Sequence, residues 1–175
     1  MLGDNGWGAV CFFRHGDKWQ AEYTYGVVPA DLVAIVGRTK AFIYALEAIG
    51  QILPAIAFRS RLSPEYVSFC DNEPARHALT KGFSSVDEVN ALMAFFWAWN
   101  ARFGKSPWTE RVSSKANWAD SISRFDFTEA DRQGWKKLDI DWTPVYRVIK
   151  QAACDIGHAM TKAVDDIIRI CEEGC

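Results

Sequence analysis

The sequence predicts an α/β fold with a mixed sheet flanked by helices. Two aromatic and β-branched segments spaced as a hairpin come first, a helical apolar period takes over near residue 39, and strand-like and helical stretches then alternate to about residue 125. The hairpin segments are WGAVCFFRH and KWQAEYTYGVV, and Gly16 and Asp17 between them suit a tight turn. Beyond Thr39, Phe42, Leu46, Ile49, Leu53 and Ile56 recur every three or four residues and predict one helix face, with Pro54 kinking or ending the helix.

After the turn signal of Ser63 and Pro64, YVSFCD reads as a buried strand that ends in an acidic residue. Pro74 in a first turn and Gly82 just past a last turn bracket a short helix containing Ala75, Ala78 and Leu79. Ser85 and Glu88 form a capping box before a helix whose Val86, Val89, Met93, Phe96, Asn100 and Phe103 share a side, closed by Gly104. WTERVSS is the next strand, and Asn117 caps a short helix that opens at Trp118.

The polar, broken segment 126–142 is expected to be a linker. Thr143 and Pro144 then start one long amphipathic helix over 143–175, with Val145, Ile149, Ala152, Ile156, Met160, Ala163, Ile167 and Ile170 on a single stripe. At 1.5 Å per residue it is about 40 Å long and overhangs a small sheet. The expected organisation is a domain over 1–125, the linker, and a C-terminal helical extension.

With 175 residues, 49% apolar and 24% charged, the chain carries one domain's worth of core. A net charge of −2 removes the simplest argument for a nucleic-acid binder, a strongly basic surface, while leaving local basic stretches open. The richest apolar stretch, AFIYALEAIGQILPAIAF, is broken by Glu47, Gln51 and Pro54, so no membrane span is expected. MLGDNGWGAVCFF lacks a charged leader before an apolar core, which points to an intracellular setting, cytoplasm or nucleus. Cys11, Cys70, Cys154, Cys171 and Cys175, with His15, His77 and His158, lack the spacing of a zinc site.

Three carboxylates stand out by position. Glu47 lies in an apolar helix with Ile43, Tyr44, Gly50 and Gln51 at neighbouring helical spacings; Asp71 closes the strand YVSFC; Asp120 opens a helix after the last strand. Taken singly, Asp71 reads as a cap for the following helix and Asp120 as a first-turn acid favoured by the helix dipole. Together they make an oxygen-rich set drawn from a helix, a strand end and a second helix. Hard divalent cations select such ligands, and a pair of cations can clamp the attacking and leaving oxygens of a phosphodiester.

The segments GWGAVCF, Leu46-Glu47-Ala48, VSFCDNEPARHALTKGFSS and PWTERVSSKANWADSISR together resemble the ribonuclease H domain of retroelement reverse transcriptases, over about residues 4 to 125. The resemblance implies a ribonuclease H-like sheet and four carboxylates, Glu47, Asp71, Asp120 and Asp4, binding two Mg²⁺ or Mn²⁺ ions to hydrolyse the RNA strand of an RNA:DNA hybrid. It also implies an upstream polymerase domain as a partner. Two departures are visible. Only Met1, Leu2 and Gly3 precede Asp4 where the family has a full central strand, so that strand is expected to be incomplete and cleavage weak until an upstream strand is restored. The family's assisting histidine has no counterpart between His77 and His158.

For nucleic-acid contacts the candidates are Asn72, Arg111, Lys115 and Arg124. Residues 99–124 hold Arg102, Lys105, Arg111, Lys115 and Arg124 against only Glu110 and Asp120, and Trp108 or Trp118 is placed to stack on a base or sugar. Asn72 reads more readily as the cap of the helix that follows it. The alternative function is a catalytically inactive module that keeps the fold to bind nucleic acid or serve as structure. A further reading makes the terminal helix a partner-binding element with an exposed apolar stripe.

Overall fold

The computed structural model describes residues 5–36, 42–154 and 160–173, and Asp4 lies outside them. The hairpin forms where expected: β1 (Gly6–His15) and β2 (Lys18–Val27) pair antiparallel from Gly6↔Val27 to His15↔Lys18. Gly16 adopts φ 60° in the turn between them, a conformation that costs glycine nothing.

Strand alternation gives the hairpin two faces. Trp7, Ala9 and Cys11 point into the main core, formed with the helices α2 (Phe42–Ala57), α4 (Asp87–Arg102), α7 (Thr143–Cys154) and α8 (Met160–Glu173). Trp7 Nε1 donates to Tyr146 Oη at 2.6 Å, joining β1 to α7 inside that core. Tyr23 on the opposite face packs with Ile122 and Ala130 of α5 (Trp118–Ser123) and α6 (Thr128–Gln133). The hairpin is thus sandwiched between two helical layers, and two glycines permit the closer one. A Cβ on Gly8 would stand 2.5 Å from the Ser123 backbone nitrogen, and one on Gly6 would also meet Ser123 backbone.

The mixed α/β class holds, but the strands form two sheets. The first has the order β1-β2-β5, with β5 (Lys136–Lys137) parallel to β2; the second is the parallel pair β3 (Glu65–Cys70) and β4 (Ser106–Arg111). Between β3 and β4 the chain runs through α3 (Glu73–Lys81) and α4. β3 is covered on one side only: Cys70 is buried while Val67 and Phe69 are exposed, so the expectation of a fully buried strand is corrected. A run of apolar residues does not distinguish a strand buried on two faces from one buried on one.

Four further expectations change. α2 carries Pro54 inside it and continues to Ala57, so of the two outcomes expected at Pro54, a kink or an end, the helix does not end there. α4 opens at Asp87, with Ser84 Oγ accepting from the Val86 N–H at 3.1 Å, in place of a box starting at Ser85. The segment 126–142 is not a linker, since it holds α6 and β5 and buries Trp142 against the ring of Trp7. The C-terminal stripe is two helices packed on each other and on α4, with Val145, Ile149, Ala152, Ala163, Val164 and Ile167 buried in the main core. A stripe of that area is stable when covered, and α4 covers it. An additional helix, α1 (Ala30–Val36), follows β2 and rests on α7, where Lys150 Nζ meets Asp31 Oδ2 at 2.5 Å.

Candidate functional site

The structure brings Glu47 and Asp71 within electrostatic reach of each other. α2 is registered against β3 by Gln51, one turn beyond Glu47: its Nε2 donates to the Phe69 carbonyl at 3.1 Å, and the Ser68 hydroxyl donates to its Oε1. The half-buried Glu47 is on the turn of α2 before that anchor, and Asp71 directly follows β3. Burial first, and the Asp71 charge second, push the Glu47 carboxyl from its ordinary 4.5 up to about 7. The repulsion between two acids in a partly dry setting is thereby expressed in Glu47.

Asp71 is also tied to α5. Asn117 caps that helix through Oδ1, which accepts from the Ala119 N–H at 3.1 Å, while its Nδ2 donates to Asp71 Oδ2 at 3.4 Å. The sequence marks Asn117 as a cap; its second role needs the fold, as does that of Gln51. Asp120 is in the first turn of α5, and its Oδ1 accepts from Arg124 at 3.1 Å. Two expected site residues, the acid and the base, therefore pair with each other. Among the described residues, no group of three His, Cys, Asp or Glu side chains is assembled that could hold a metal ion.

The remaining nucleic-acid candidates are distributed around this centre. Asn72 is the cap of α3, its Oδ1 accepting from the Ala75 N–H at 2.9 Å. Arg111, at the end of β4, is exposed and 3.9 Å from Glu73, which Arg76 and then its other cationic neighbours hold below the usual carboxylate range. Lys115 is exposed in the 3₁₀ turn before α5. Trp108 is exposed on the open face of the parallel pair, opposite Val67 in register.

Comparison with protein-family models, with curated proteins and with solved structures finds no match in any of the three. No helix among the described residues is long and apolar enough to cross a membrane. What fold and site define by themselves is a mixed α/β domain with a partly buried glutamate within electrostatic reach of an acidic strand end.

Proposed function

We propose that this chain is a ribonuclease H-type domain acting on the RNA strand of an RNA:DNA hybrid, in the manner of the domain that follows a retroelement reverse transcriptase. The observation that carries the reading is that Glu47 from a helix feels the charge of Asp71 at a strand end, which Asn117 ties to the helix bearing Asp120. The arrangement of strands supports it too. In that family the first strand lies centrally, so an antiparallel hairpin and a separate parallel pair are the strands expected on either side of it.

The donor set fits a hard divalent cation in part. Glu47 and Asp71 offer oxygen ligands whose mutual repulsion a Mg²⁺ or Mn²⁺ ion would offset. Asp120 would join them on leaving Arg124, and Asp4 is the fourth ligand the resemblance implies. Cations bound there would lower the pKa of an attacking water and offset charge developing on the phosphate. The chain's own residues do the positioning: Gln51 and Ser68 hold α2 against β3, Asn117 holds Asp71, and the exposed Arg111 and Lys115 would supply phosphate contacts.

The test is metal-dependent cleavage of an end-labelled RNA annealed to DNA, compared with Asp71→Asn. Slow Mg²⁺- or Mn²⁺-dependent cleavage that disappears in the variant supports the reading. The pairing of Asp120 with Arg124 favours a second reading, a non-catalytic nucleic-acid-binding module. Hybrid binding without cleavage at any concentration of either metal would select it.

A further inference from the structure

We propose that the cleft between the hairpin and the α5–β5 segment binds unpaired bases of a single nucleic-acid strand. The cleft holds about 470 Å³, inside the roughly 300–1,000 Å³ typical of ligand sites. Its walls are Phe12, Trp19, Trp118 and Trp135. The Trp118 and Trp135 rings stack at 5.3 Å and 17°, and Phe12 meets both edge-on at 5.3 and 5.5 Å. Much of this aromatic surface faces water: Trp19 is 70% exposed, Trp118 49% and Phe12 47%. The face of β1 that carries Phe12 is covered by α5 and α6 further along at Val10 and left open here.

The charges around the rings identify the occupant. Glu22 borders the cleft, but its carboxylate is buried and gripped by both Arg61 nitrogens at 3.0 Å, so it offers nothing to an ammonium guest. Lys136 lines the cleft, exposed and in no ion pair with any described carboxylate. Arg14 is opposite Trp19 in the strand register and 3.9 Å from the exposed Asp17 at the turn. Flat ring faces beside Lys136 and Arg14 suit a base with its phosphate, whereas a neutral saccharide would leave the cations unused. A base inside a duplex has both faces covered, so the guest is an unpaired one.

The cleft stands on its own geometry; its relation to cleavage rests on the proposed function. Trp118 follows Asn117, whose amide donates to Asp71, so α5 ties the cleft to the strand end that bears Asp71. The cleft would then take the single-stranded flank of a hybrid.

The experiment is fluorescence anisotropy of a labelled oligothymidylate titrated with the full chain at several salt concentrations. Trp19→Ala should weaken binding about tenfold or more, and Trp19→Phe, which keeps a ring, should recover most of it. Trp19 is exposed enough for either variant to fold, which thermal unfolding checks. Lys136→Ala should flatten the salt dependence. The titration uses neither a hybrid nor a divalent metal, so a failure of the nuclease reading leaves this result intact. Equal affinity of Trp19→Ala and the parent, or equal affinity for an abasic strand, would overturn the proposal.

Discussion

Replacing Glu47 by glutamine tests the electrostatics of the carboxylate pair without any metal or substrate. The Glu47 carboxyl titrates at about 7 in the fold against an ordinary 4.5. At about 1.4 kcal/mol per pH unit, this displacement corresponds to about 3 kcal/mol. The side chain keeps partial access to water, which reduces the figure to about 1.5 kcal/mol. The folded state holds the Glu47 proton more tightly than the unfolded state, so stability falls as pH rises from about 4.5 to about 7 and is level above that. Glutamine keeps the shape and has no charge to lose. Glu47→Gln should therefore be more stable than the parent by about 1.5 kcal/mol near pH 8, and within about 0.5 kcal/mol of it near pH 4.5. Urea unfolding at the two pH values measures both differences. A change of equal size at both, or a destabilised variant near pH 8, would refute the partly buried setting assigned to the Glu47 carboxyl.

Two further outcomes check the architecture around the site. Gly8→Ala puts a Cβ 2.5 Å from Ser123 nitrogen and 2.8 Å from Ile122 carbonyl carbon, both backbone, so it should cost about 1–3 kcal/mol and raise hydrogen exchange in α5; unchanged exchange there would contradict the close seating of α5 on β1. Ile149→Ala, at a position only 1% exposed, should cost about 2–4 kcal/mol in a single cooperative unfolding transition, whereas a C-terminal helix independent of the domain would leave the main transition where it was.

Local signals in the chain translate well into structure, and tertiary ones do not. The hairpin is readable because Gly16 and Asp17 can only turn, and α3 because Asn72, Pro74 and Gly82 mark its start and end. β5 is two residues long and exists by virtue of its partner β2, so no period announces it, and the segment around it reads as a linker. α7 and α8 share one apolar stripe, and a stripe does not separate one long helix from two that pack on each other. At the site, Glu47 is conspicuous as a charge in an apolar helix and Asp71 as the acid at a strand end. The links that set their geometry, Asn117 to Asp71 across 46 residues and Ser68 to Gln51 across 17, join side chains whose proximity only folding creates. The Arg124 partner of Asp120, four residues on, is a helical spacing that was open to recognition. Gly6 and Gly8 were open to recognition as well, since glycine inside a strand often marks a close approach.

The central claim, that Glu47 and Asp71 form a cation-binding centre, is tested most directly by thermal unfolding near pH 8 with and without millimolar Mn²⁺. A ligand confined to the folded state stabilises it by about 2.7 kcal/mol at a hundred times its Kd. The parent should therefore melt several degrees higher with Mn²⁺, while Asp71→Asn, itself no less stable than the metal-free parent, should show no rise. A parent indifferent to Mn²⁺, or an equal rise in Asp71→Asn, would contradict the account.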